Sequence, residues 1–181
     1  MQFPPPVRLL SAAVLALTTL AGHAHGPTPQ KIDESVTIAA PPAAVWAVVS
    51  NFADLAGWNP AVTASSADRG NEAGSTRTLT LPAGQVTEQL DDYDAAAMSM
   101  SYRSGTTDPK VLPASSYSGR LTVKPDGSGS KLGWQVRGYR ADTGNDPAAG
   151  MDDESAVKAL RALMRPGLDA VRARIESGGT R

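Results

Sequence analysis

The sequence predicts an α+β fold: a curved antiparallel sheet of about seven strands wrapped around one long C-terminal helix, with two short helices after the first strand. Three observations carry this. Between Val62 and Tyr139, six short runs alternate apolar and polar residues, with turn-forming residues between them. From about Met151 onward the apolar residues switch to helical spacing. The 181 residues, 41% hydrophobic and 19% charged, are ordinary for one domain and too few for two well-cored ones.

At the N-terminus, Arg8 is followed by the apolar run "LLSAAVLALTTL" and the small-residue stretch "AGHA". This pattern reads as a secretory signal peptide over residues 1–24, with cleavage after Ala24 and Ala21 as the second choice. A Pro-rich leader follows over 25–34, then the folded domain over 35–177 and a short tail over 178–181. The apolar run is well short of the roughly 20 residues that cross a bilayer, so no membrane span is expected, and the protein is expected to be periplasmic or secreted.

The 17 basic and 18 acidic residues nearly cancel, and removing residues 1–24 takes away Arg8 alone among them. No run of Lys or Arg restores a local positive field along the sequence, so nucleic acid is not expected as a partner. Cysteine is absent, which excludes disulfides, thiolate nucleophiles and cysteine metal sites.

The first strand is expected at 35–40, where "SVTIAA" alternates. In "PPAAVWAVVSNF", Pro42 suits a first helical turn, and Val45, Val48, Val49 and Phe52 recur at helical spacing. "ADLAGW" reads as a second short helix stopped by Gly57 and Pro60. Further strands are expected at 62–67, 75–81, 85–90, 97–103, 117–124 and 131–139. They lie so close in sequence that they must pair as antiparallel hairpins. The 104–116 segment, with Pro109 and Pro113, is long enough to be a lid or binding loop.

A final helix over 151–177 carries the stripe Val157, Leu160, Met164, Leu168, Val171 and Ile175, with acidic residues at its start and Pro166 expected to kink it. One helix covers a strip only about 10 Å wide. A curved sheet gripping it is therefore expected to leave a hollow, closed at its ends by the short helices and the Pro-containing loop.

"VWAVVSNFADLAGWNPAV", "EAGSTRTLTLPAGQVTEQLDDYD", "MSYRS" and "LPASSYSGRLTVKPDGSGSKLGWQV" together resemble the SRPBCC superfamily, also called START-like or polyketide cyclase/dehydrase-like, and within it the MxaD-type branch. The resemblance spans roughly 31–175. It implies a helix-grip fold around a deep apolar pocket that holds lipids, sterols, polyketides or other hydrophobic molecules, with cyclisation or dehydration in some members. The MxaD-type branch further implies an exported accessory factor of periplasmic methanol oxidation.

Strand alternation assigns the candidate site residues. If the apolar set faces inward, Leu79 and Leu81 bring Arg77 with them, Val86 and Leu90 bring Glu88, and Met98 and Met100 bring Tyr102. Likewise Leu121 and Val123 bring Tyr117, and Leu132 and Val136 bring Trp134. The hairpin across "PAG" makes Arg77 and Glu88 neighbours, so an ion pair inside the hollow is expected, either structural or in contact with a ligand. Tyr102, Tyr117 and Trp134 offer apolar bodies with polar tips that suit pocket lining as well as core packing. Met98, Met100, Leu160 and Met164 complete the candidate ligand-contacting set. Trp58, in the "WNP" corner, is read as a plug over one end of the hollow or as a gate touching a ligand.

Both histidines, His23 and His25, lie at the signal junction, so from Gly26 to Arg181 there is neither His nor Cys. Serine triads, cysteine nucleophiles and histidine metal sites are therefore excluded from the domain. The acidic cluster Asp91 to Asp94 is read as a solvated hairpin turn. No metal site and no cofactor are expected. The leading expectation is a protein that holds a small hydrophobic or amphipathic molecule unchanged. Two others compete with it: docking onto a periplasmic dehydrogenase, and a cyclase or dehydratase with Glu88 as base, Tyr117 as proton donor and Arg77 holding the carboxylate.

Overall fold

A computed structural model describes residue 1 and residues 27–178. The expected signal peptide, both histidines and the last three residues of the tail lie outside the described residues. Seven strands and two helices follow one another as β1 (Gln30–Ile38), α1 (Pro42–Val49), β2 (Ala64–Ala67), β3 (Thr76–Leu81), β4 (Gly84–Asp94), β5 (Ser99–Ser104), β6 (Ala114–Asp126), β7 (Gly129–Arg140) and α2 (Asp153–Gly178). The strands form one antiparallel sheet in the order β1-β7-β6-β5-β4-β3-β2. Each strand from β2 to β7 pairs with its sequence neighbour. Only β1 crosses over, to pair with β7.

Alternation sets the buried face as the sequence implied. Leu79, Leu81, Val86, Leu90, Met100, Leu121, Val123, Leu132 and Val136 are all buried, and Arg77, Glu88, Tyr102, Tyr117 and Trp134 are buried with them. β1 starts earlier than the 35–40 alternation indicated, because Gln30 to Glu34 continue the ladder opposite Gly138 to Trp134. The acidic cluster also shifts: Asp91 to Asp94 end strand β4, and the turn to β5 falls at 95–98. Met98 sits in that turn with φ 49°, in the left-handed region, and not on a strand.

The second short helix is replaced by turns. Over residues 52–61 side chains intercept the backbone donors a helix would use. Asn71 Oδ1 accepts the Phe52 N–H at 2.7 Å, Asn51 Oδ1 the Ala53 N–H at 3.0 Å, Ser65 Oγ the Ala56 N–H at 2.9 Å, and Asn59 Oδ1 the Ala61 N–H at 3.1 Å. Helix α2 opens with the Asp152 carboxylate accepting the Ser155 N–H at 2.8 Å, a capping contact. It runs through Pro166, burying Leu160, Leu163, Met164, Leu168 and Val171.

Helix α2 packs on β1 and β7, and not across the middle of the sheet. A Cβ on Gly138 would stand 3.1 Å from Leu160 Cδ1, so glycine sets the closeness of this contact. Helix α1 packs beside α2 over β6 and β7, and the 52–61 turns send Phe52, Leu55 and Trp58 into the interior. These three side chains occupy the space where a hollow was expected.

Candidate functional site

The site begins with a register. Arg77 on β3 stands directly opposite Glu88 on β4, and their side chains close an ion pair at 2.5 Å, 4% and 1% exposed. The second Glu88 oxygen accepts the Tyr117 hydroxyl at 2.7 Å. Arg77 also donates through Nη1 to the Phe52 carbonyl at 3.2 Å. Its guanidinium carbon lies 4.3 Å from the Phe52 ring centre and 4.8 Å from that of Tyr102, so the charge is sandwiched between two aromatic faces.

Tyr102 extends the network across the sheet. Its ring passes over Gly119, its partner on β6, where any Cβ would stand 2.2 Å from Tyr102 Cζ. Its hydroxyl accepts the Trp134 indole N–H at 2.7 Å. Trp134 in turn packs against Trp58, with ring centres 5.6 Å apart. Burial, and then the Glu88 charge, push both phenols up from their ordinary value, and for Tyr117 the hydrogen bond it donates to Glu88 pushes the same way. Both hydroxyls are therefore held protonated.

The "WNP" corner is built from the same elements. Asn59 is fully buried and donates through Nδ2 to the Leu163 carbonyl of α2 at 2.9 Å. Gly167 admits the corner, since a Cβ there would stand 2.8 Å from Asn59 Cγ and 2.9 Å from Trp58 Cζ3. Trp58 thus wedges between helix and sheet. Its indole N–H is buried without a hydrogen-bond partner among the described residues.

Between these groups lies a residual void of about 10 Å³, lined by Val49, Leu55, Trp58, Arg77, Met100, Tyr102, Leu121 and Trp134. That is room for one water at most. The deep pocket implied by the resemblance is therefore filled, and the filling side chains come from the 52–61 turns. Of the candidate residues, Trp58, Arg77, Met100, Tyr102 and Trp134 meet at this void. Glu88 and Tyr117 join them through Arg77. Leu160 and Met164 are buried on α2, away from the void's lining, and Met98 stands apart in the β4–β5 turn.

Sequence reasoning missed Phe52 and Asn59 as members of the site. The signal for Asn59 was present, a buried-corner amide before Pro60, whereas the role of Phe52 depends on a carbonyl and a ring face that no spacing reveals. Among the described residues, no three His, Cys, Asp or Glu side chains gather in a way that could hold a metal ion. No helix among them is long and apolar enough to cross a membrane.

A family model described as polyketide cyclase / dehydrase and lipid transport matches residues 29–176. The chain belongs to this family. Solved structures resemble this member of the polyketide cyclase/dehydrase and lipid transport family along most of their length. XoxI of Bacillus cereus is 21% identical with a TM-score of 0.69, covering 83% of this chain and 99% of its own. Ara h 8.0201 is 16% identical, TM-score 0.64, covering 83% and 99%. The Zhui aromatase/cyclase of Streptomyces sp. R1128 is 21% identical, TM-score 0.64, covering 82% and 94%. These likenesses show a shared helix-grip fold. Among curated proteins no sequence match is found.

Proposed function

We propose that this protein binds a small hydrophobic or amphipathic molecule between its sheet and helix α2, without transforming it. One observation carries the reading: the Trp58 indole N–H is buried and unpartnered beside a void walled by Trp134, Tyr102 and Arg77. An unsatisfied buried donor costs about 1–3 kcal/mol, which an oxygen of an entering amphipathic molecule would recover. The family description, which includes lipid transport, supports the same reading.

A void of about 10 Å³ admits no such molecule as it stands. Entry must displace Phe52, Leu55 and Trp58, whose segment is held by isolated backbone turns and single side-chain hydrogen bonds and not by a continuous helical ladder. Native mass spectrometry of the gently purified protein, with tryptophan fluorescence titrations against fatty acids, quinones and sterols, tests the proposal. A saturable one-to-one complex is expected, weakened by Trp58→Phe. No complex at the solubility limit of every probe overturns it.

The filled interior favours a second reading, in which the outer surface acts. In that reading the protein is an MxaD-type accessory factor docking on a periplasmic, methanol-type dehydrogenase. A stoichiometric enzyme partner recovered from periplasm would support it. The catalytic reading fares worse in this geometry, because Glu88 and Tyr117, the base and acid it needs, are hydrogen-bonded to each other. Both leading readings place the mature protein outside the cytoplasm. An N-terminal mass beginning at His25 in a periplasmic fraction would establish this.

A further inference from the structure

The outer face of the sheet carries a feature the interior does not explain. Ser99 on β5, Thr122 on β6, Gly133 on β7 and Ser35 on β1 stand in register, all on the face away from α2. This row of small residues sinks a trench of about 460 Å³ across four strands. Gly133 keeps it open, since a Cβ there would already reach 3.2 Å from Thr122 Oγ1.

The rows on either side of that floor carry cations. Arg120, next to Gln135, lines one wall, and Lys124 faces Lys131 on the other. Two other cations on this face have carboxylate partners, Lys31 with Asp33 at 2.9 Å and Arg103 with Asp91 at 2.5 Å, whereas Arg137, further along β7 and outside the trench lining, has none among the described residues. Arg120, Lys124 and Lys131 have none within ion-pair distance among the described residues. Two carboxylates also line the trench, and both are paired with other cations: Asp33 with Lys31, and Glu34 with Arg161 at 2.8 Å and Arg165 at 3.5 Å; Asp126, close by, accepts the Thr37 hydroxyl at 3.0 Å.

Lys124 and Lys131 are directly opposite on paired strands, an arrangement in which like charges repel and destabilise the sheet. Such a pair sits at odds with folding and in accord with holding an anion. Hydroxyl donors on a floor between cationic walls match the chemistry of phosphate, whose several oxygens accept hydrogen bonds while its charge meets lysine and arginine. We propose that this trench binds a small soluble phosphate-bearing anion. The site is independent of the interior and of the hydrophobic ligand proposed there.

Inorganic pyrophosphate is the probe, added to the full chain at low ionic strength and followed by calorimetry and by thermal unfolding. One-to-one binding and a raised midpoint are expected. Lys131→Gln and Lys124→Gln should each weaken binding at least tenfold. In the absence of pyrophosphate and at low salt, each should also raise the unfolding midpoint, a gain that disappears at high salt. Gly133→Val, which fills the trench without touching charge, should abolish binding. The proposal is overturned by no saturable response to millimolar pyrophosphate, by equal responses of wild type and the Lys124→Gln/Lys131→Gln double variant, or by lysine variants that lower the midpoint. Binding to phosphatidylglycerol vesicles without any pyrophosphate response also overturns it, in favour of a membrane surface.

Discussion

Arg77 and Glu88 stand opposite each other on adjacent strands and form a 2.5 Å ion pair from which water is excluded on both sides. Every other polar group of the interior network is reached through this pair: Tyr117 through the carboxylate, Phe52 and Tyr102 through the guanidinium.

Breaking the pair on one side leaves the other charge buried and uncompensated. Glu88→Gln should therefore destabilise the fold by about 3–5 kcal/mol, while Arg77→Met with Glu88→Leu should recover most of that loss. Urea unfolding of the three proteins reads the difference. A double variant no better than the single one would show that the pair contributes more than mutual neutralisation.

In an exposed helix, glycine to alanine gains roughly 1 kcal/mol. At Gly167 the sign should reverse, because the new Cβ meets Asn59 Cγ at 2.8 Å and Trp58 Cζ3 at 2.9 Å, and overpacking of this kind costs about 1–3 kcal/mol. Asn59→Ala should destabilise by a similar amount through loss of its bond to the Leu163 carbonyl. Hydrogen exchange along α2 will show faster opening in both variants if the corner clamps the helix.

Alkaline pH should weaken the protein. Burial and the Glu88 charge raise the Tyr117 and Tyr102 phenols in the folded state, whereas in the unfolded chain both ionise near pH 10. Above that pH the unfolded chain binds fewer protons than the folded one, so this contribution is complete below pH 10 and lost as the pH climbs towards the folded values. The unfolding free energy should fall above pH 10 by up to about 1.4 kcal/mol per pH unit for each phenol. Tyr102→Phe and Tyr117→Phe should each remove one share of the slope.

Acid should loosen the β7–α2 connection before the sheet. The Asp142 carboxylate accepts the Ala148 and Gly144 N–H groups at 2.9 Å each, and these bonds lower its pKa from the usual carboxylate range. The Asp152 carboxylate is lowered in the same direction by the Ser155 N–H. Their contribution is present above the ordinary aspartate pKa and lost as pH falls through the depressed folded values. Amide exchange at Gly144, Ala148 and Ser155 should rise there while the strand amides stay protected. Uniform loss of protection would contradict local loosening.

Alternation and turn residues were enough to place the strands and to turn Arg77, Glu88, Tyr102, Tyr117 and Trp134 inward, because a period of two has only two faces and the apolar set chooses one. The short "PAG" connection likewise set the Arg77–Glu88 register. Met98 was misplaced because turn and strand residues look alike next to a hairpin. The second short helix was misread because Asn51, Asn59, Ser65 and Asn71 take four of the backbone donors of residues 52–61, three of these acceptors lying outside that segment.

The sequence alone determined a one-domain α+β chain, its long terminal helix and which side chains face the interior, since these follow from periodicity and nearest-neighbour pairing. Only the tertiary structure decided whether that interior is open or filled. The answer depends on where α2 settles on the sheet and on how far Phe52, Leu55 and Trp58 reach, and volume shared by segments far apart in the chain leaves no local pattern. The same holds for the floor of the outer trench: Ser35 and Ser99 are far apart in the sequence and meet Gly133 and Thr122 only because β1 crosses over to pair with β7 and β5 pairs with β6.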